Sequence, residues 1–94
     1  MPPLALTSRP RRCDRILAQS TAGTTVLLSV DGGQYYSLDG VGSRIWELSD
    51  GSRTVGEIVA LLTQEYGTEP ARVEADALEL LAEMAHENLV ETLP

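Results

Sequence analysis

Apolar and polar residues alternate along a short segment in the first half of the chain. Every second residue from Val26 to Val30 is apolar, and a second extended segment, residues 34–38, follows an Asp-Gly-Gly sequence. Period-two alternation is typical of a strand, and Asp-Gly-Gly supplies the positive φ angles of a tight turn. The pattern predicts an antiparallel hairpin, with Tyr35 and Tyr36 pointing to opposite faces of its second strand.

Two other apolar segments precede the hairpin, at residues 4–7 and 16–19. Either could supply a further strand, and the sequence does not choose between them. A three-stranded sheet in a chain of 94 residues has two edges and little with which to cover them. We therefore expect a bare sheet edge, which another chain could extend.

The apolar spacing becomes helical after residue 38. Asp39 is a plausible N-cap for a first helix, and Thr54 with Glu57 matches a capping box for a second. Gly67 is placed to end the second helix, and Pro70 suits the first turn of a third. The order of elements predicts one α+β domain over residues 1–94, winged-helix-like, with a three-stranded antiparallel sheet followed by three helices.

The third helix carries an apolar stripe and an acidic one. The apolar stripe comprises Val73, Ala77, Leu80, Leu81 and Met84. The acids, which we expect on a solvated face, are Glu74, Glu79, Glu83 and Glu87.

Charge is distributed unevenly along the chain. The net charge is −7, of which residues 48–94 hold −8 (ten acids, two arginines) and residues 1–47 hold +1. The third helix and its flanks carry six carboxylates and a single base, Arg72. This excess of negative charge would repel phosphate backbones, so nucleic acid is not an expected partner. Four arginines between Arg9 and Arg15 are expected to lie, solvated, in a loop.

Residues that carry catalytic chemistry are scarce. The chain has one histidine, His86, and one cysteine, Cys13, with no sequence context of a nucleophile, a metal site or a phosphate loop. We expect no enzyme activity, no catalytic residue, no metal and no cofactor. No secretory signal or membrane span is apparent, so a cytoplasmic location without a membrane partner is expected.

The chain resembles the PqqD family, also called RiPP recognition elements, which bind the leader segments of ribosomally made precursor peptides. An ordered series of segments carries the resemblance: residues 26–28, 33–38, 42–48, 50–58, 65–66, 73–76, 80–81 and 89–91. Residues 1–25 match nothing firmly. Asp39 stands where the family more often has Asn, a change that preserves capping.

The resemblance implies that a leader peptide adds as a strand beside the third strand, in a groove walled by the third helix. Two sets of residues would form that site. The strand edge would come from Gln34, Tyr35, Tyr36 and Ser37. The helix wall would come from Val73, Asp76, Ala77, Leu80 and Met84. The alternative for the helix stripe is that it is simply core.

The resemblance also implies partners. A chain without a fused enzyme is similar to the leader-binding B protein of lasso-peptide pathways, which presents its precursor to a leader protease and a cyclase. The alternatives are a chaperone that serves a radical enzyme in pyrroloquinoline quinone-type biosynthesis and a winged-helix DNA-binding regulator.

Overall fold

A computed structural model describes residues 4–93. It contains five strands and three helices, in the order β1 (Arg9–Arg12), β2 (Ile16–Thr21), β3 (Thr24–Ser29), β4 (Tyr35–Leu38), α1 (Gly40–Leu48), α2 (Val55–Tyr66), α3 (Pro70–His86) and β5 (Val90–Leu93). The α+β class and the three-stranded sheet followed by three helices are confirmed.

The main sheet is antiparallel with the strand order β2-β3-β4. Its third strand is therefore supplied by residues 16–21, whereas residues 4–7 lie in a turn. The segment that contains those earlier residues caps the N-terminus of α2. The carbonyls of Leu6 and Ser8 accept the N–H groups of Gly56 and Val55, respectively, in the first turn of that helix. Of the Asp-Gly-Gly turn, only Gly33 has a positive φ, at 68°.

The three helices begin where the sequence predicts. The Asp39 side chain accepts the N–H of Gly42 at 2.9 Å, and Thr54 and Glu57 form both bonds of a capping box. Gly67 ends α2 in the left-handed conformation, with φ at 64°, because only glycine adopts it without strain. Asn88, also left-handed, turns the chain out of α3.

The core lies between the inner face of the sheet and the three helices. From the sheet it contains Leu27 and Leu38, and from the helices it contains large side chains that are almost fully buried, including Ile45, Ile58, Leu62, Leu81 and Met84. The outer face of the sheet is uncovered among the described residues, where Tyr35 is 71% exposed. Tyr36 packs against the core, so the two tyrosines point to opposite faces, as predicted.

A second, two-stranded sheet pairs β1 with β5, placing Arg9 opposite Leu93 and Arg12 opposite Val90. The expectation that the arginines occupy a solvated loop is therefore wrong for Arg9, Arg11 and Arg12, whereas Arg15 lies exposed in the turn before β2. Arg12 donates to the carbonyls of Trp46 and Glu47 at 2.9 and 2.7 Å, which satisfies the C-terminal end of α1. Arg11 pairs with Glu91 across the strands.

Candidate functional site

The free edge of β4 presents backbone groups that no strand among residues 4–93 pairs with. Opposite residues of an antiparallel pair alternate between hydrogen-bonded and non-hydrogen-bonded. The Ser29 N–H donates to the Gln34 carbonyl at 2.9 Å, so Gln34, Tyr36 and Leu38 direct their backbone groups toward β3. Tyr35 and Ser37 consequently direct theirs outward, and they offer two N–H donors and two C=O acceptors to an added strand.

Helix α3 lies beside this edge and runs antiparallel to β4. The start of β4 faces the last turns of α3, and the residues after β4 face its middle. Two adjoining cavities, of about 490 and 450 Å³, lie between the two elements, and the start of α1 also lines the smaller one. The two cavities share Ser37, Leu38, Leu80 and Glu83 as lining. We name this cleft the edge groove.

The floor of the edge groove is apolar at the end near the start of β4. Half-buried Leu80 and buried Met84 and Leu89 line the larger cavity there, together with the ring of Tyr36. An apolar cavity next to unpaired strand backbone suits an extended peptide, because main-chain bonds give affinity while cavities accept alternate side chains.

A hydrogen-bond network spans this end of the groove from strand to helix. The Tyr36 hydroxyl lies 3.0 Å from a Glu87 carboxylate oxygen and 2.7 Å from the Gln34 side-chain oxygen. The hydroxyl has a single proton, so it donates to only one of these oxygens at a time. Partial burial, and then the bond to Glu87, raise the pKa of Tyr36, so the phenol stays protonated near neutral pH.

Only part of the predicted site residues meet in the edge groove. Ser37 and Leu80 line both cavities, Tyr36 and Met84 line the apolar one, and Asp76 lines the other. Of the other four predicted residues, Val73 and Ala77 lie at a cavity between α3 and the other helices. Gln34 lies beside the turn before β4 and meets the Tyr36 hydroxyl, and Tyr35 contributes its backbone to the free edge while its side chain lies on the outer sheet face.

Ala77 is 1% exposed and belongs to the core, which matches the alternative that part of the stripe is core. It therefore offers almost no surface to a ligand.

Three acids of α3, Glu79, Glu83 and Glu87, are exposed, as expected of a solvated face. They also line the edge groove, on the same side of α3 as Asp76. Their spacing of three and four residues placed them on one face in the sequence. The sequence carried no signal for which element that face would meet, because this depends on how α3 packs beside β4.

The side chains with catalytic chemistry lie outside the groove floor. Cys13, Asp14, His86 and Glu87 line one further cavity, beside the loop before β4. Burial first, and then the charges of Glu91 and Asp14, raise the pKa of Cys13 and disfavour a reactive thiolate. Within residues 4–93, no three His, Cys, Asp or Glu side chains group as a metal site.

Over the described range, none of the three helices is both long enough and apolar enough to cross a bilayer.

A family comparison matches residues 24–90 to coenzyme PQQ synthesis protein D (PqqD). A curated relative, the bifunctional coenzyme PQQ synthesis protein C/D of Methylorubrum extorquens, is 38% identical over 56 residues, or 60% of this chain. The aligned region spans only 15% of that relative's length.

Solved structures share the fold. TbiB1 in complex with the TbiA(beta) leader peptide is 33% identical, with a TM-score of 0.79 over 86% of this chain and 94% of TbiB1. The PqqD truncation of Methylobacterium extorquens PqqCD, a stand-alone RiPP recognition element, is 29% identical, with a TM-score of 0.78 over 94% of each chain. A lasso peptide synthetase B1 with its leader peptide, at 23% identity and a TM-score of 0.77 over 92% of this chain and 99% of that one, shares the fold.

Proposed function

The chain belongs to the PqqD family, and on that premise we propose that it captures the leader segment of a ribosomally made precursor peptide. The leader adds as a fourth strand to the free edge of β4, within the edge groove. The observation that carries this proposal is the unpaired, outward-facing backbone of Tyr35 and Ser37 beside an apolar cavity. β-Strand addition needs both features, since backbone bonds hold the peptide and the cavity selects its side chains.

The protein contributes binding rather than chemistry. A bound precursor held near a processing enzyme reacts at a raised effective concentration, which requires no catalytic group on the carrier. This role agrees with the raised pKa of the Cys13 thiol.

We favour a lasso-peptide pathway in the cytoplasm, with a leader protease and a cyclase as partner enzymes. TbiB1, bound to a leader peptide and similar over most of this chain, supports leader capture itself. The second candidate is presentation of a precursor to a radical enzyme in pyrroloquinoline quinone-type biosynthesis. The 38% identity to the bifunctional C/D protein favours it, although over a segment of only 56 residues.

Nucleic-acid binding receives no support from the arginines. Arg11, Arg15, Arg44 and Arg53 pair with carboxylates, and Arg12 caps α1. A phosphate backbone would have to displace these contacts and approach a chain of net charge −7.

Titration of the protein with precursor peptides encoded near it, followed by calorimetry, tests the proposal. We expect one precursor to bind through its leader half and not through its core half. Binding of a lasso-type or a quinone-type precursor distinguishes the two pathways. Saturable binding of duplex DNA with a steep salt dependence, and no binding of any precursor, would refute leader capture.

A further inference from the structure

The arginines of this chain are placed away from the edge groove, while several of its acids line it. Most of the other acids in the described chain have partners: Asp31, Glu47, Asp50, Glu65 and Glu91 form ion pairs, and Glu57 caps α2. Over residues 4–93, Asp76, Glu79 and Glu83 take part in no ion pair, and Glu87 contacts only Tyr36 among the hydrogen-bonding side chains.

Glu79 and Glu83 are the central members of this row. Arg72 lies one turn before Asp76 and lines a neighbouring cavity with it, so Asp76 has a base nearby. Asp39, on the opposite wall, is occupied in capping α1. Glu79 and Glu83 lie farther along α3, and Glu83 borders both cavities of the groove.

The spacing of these two carboxylates matches the repeat of an extended chain. Four residues of an α-helix rise about 6 Å. Two residues of a strand advance about 6.7 Å, and their side chains point to the same face. A strand that pairs with β4 lies alongside α3, so two of its side chains at positions i and i+2 can each meet one carboxylate.

From this match we infer that the edge groove selects an extended peptide with Lys or Arg at positions i and i+2. The inference rests on the proposed function and adds the chemistry of the ligand. The aliphatic stems of the two cations lie on Leu80 and the neighbouring apolar floor, and their charged ends reach Glu79 and Glu83 at the rim. Peptides with the two cations at i and i+1 place them on opposite faces and lose one of the contacts.

The experiment selects peptides from a displayed library of short random sequences against four proteins. These are the parent, Glu79→Lys/Glu83→Lys, the charge-matched control Glu69→Lys/Glu74→Lys, and Ser37→Pro, which blocks the strand edge. The control changes the net charge equally, at two residues of the same helix region that line none of the described cavities. Circular dichroism confirms that each variant is folded.

We expect the parent and the control to enrich cations at i and i+2, and the groove variant to enrich Asp or Glu there instead. A synthetic peptide with Lys at i and i+2 should bind the groove variant at least about tenfold more weakly than the parent, because two attractions become repulsions. The same peptide with Lys at i and i+1 should bind the parent about two- to fivefold more weakly.

Two results separate the inference from the proposed function. Suppose that the enriched peptides depend on Ser37 but show no preference for cations, or show a preference that the groove variant leaves unchanged. Either result would overturn the inference and leave leader capture standing. Failure of the parent to enrich any peptide above Ser37→Pro would overturn strand addition, and the inference with it.

Discussion

Replacement of Ser37 by proline should strongly weaken peptide binding without unfolding the protein. The Ser37 N–H points away from β3, so its loss removes none of the bonds between β3 and β4. Proline is tolerated on strand edges for this reason, and Ser37 is exposed. We therefore expect the free energy of unfolding to change by less than about 1 kcal/mol.

The cost to binding follows from the four outward backbone groups of Tyr35 and Ser37. Each hydrogen bond to an added strand contributes about 1 kcal/mol net, and a buried carbonyl left without its donor costs about 1–3 kcal/mol. Proline at position 37 removes one donor, leaves the opposing peptide carbonyl unpaired, and places its ring where the peptide backbone would lie. A loss of at least about 2 kcal/mol, or about thirtyfold in Kd, is expected.

A matched control exists on the opposite edge of the same sheet. The Val30 N–H donates to the Arg15 carbonyl at 3.1 Å, so by alternation Ala18 of β2 also directs its N–H away from β3. Ala18→Pro is therefore an equivalent substitution on a strand edge that has no groove beside α3. It should fold and should bind the peptide at parental affinity.

The assay is calorimetric titration of the parent and both proline variants with a leader peptide that binds the parent, alongside urea denaturation of each. Parental affinity in a folded Ser37→Pro variant would refute strand addition at β4. Equal losses in both variants would show that the peptide does not distinguish the two edges, and the groove assignment would fail.

Three further predictions concern the scaffold. Arg12→Ala should lower the free energy of unfolding by at least about 1 kcal/mol in urea denaturation, because two carbonyls at the end of α1 lose their donor; an unchanged midpoint would contradict this role. Thr54→Ala should cost about 1 kcal/mol through loss of the capping box, and Thr54→Ser should restore it. The hydrogen bonds and charge of Arg44 lower the pKa of Glu65 below the ordinary 4.5, so its stabilising contribution is complete above that pH and is lost as the pH falls through the folded value. Thermal melts of Glu65→Gln should therefore converge with those of the parent in acid, and a constant difference between the two would exclude the pairing.

The local features of the fold could be predicted from the sequence because their causes are local. The hairpin after Val26 and the caps at Asp39, Thr54 and Gly67 depend on residues within a few positions of one another. The β1–β5 pairing could not be predicted, because Arg-Pro-Arg-Arg and Val-Glu-Thr-Leu are too short for a period and each is a strand only through the other.

The candidate site could be predicted to the level of its elements but not of its side chains. A bare edge and an apolar helix stripe follow from the pattern, and their placement side by side follows from the family resemblance. Ser37 and Leu80 meet there. Helical spacing identifies a face but not its neighbour, so Ala77 was expected in the groove and lies in the core, whereas Glu83 is exposed as expected and also lines the groove. Both placements depend on how α3 packs beside β4, which the spacing does not specify.

The two walls of the groove, β4 and α3, are far apart in the sequence, so they leave the ribosome at different times. The strands β2, β3 and β4 are contiguous and can pair as soon as residue 38 has left the ribosome, but α3 ends 48 residues later. At about 5–20 residues per second, the free edge therefore exists for about 2–10 s before its helix wall does. The β1–β5 pairing must wait longer still, because β5 is the last element to leave the ribosome. We expect amides of β3 to gain protection from hydrogen exchange in stalled nascent chains that still lack α3, and amides of β1 to gain it only once β5 has emerged.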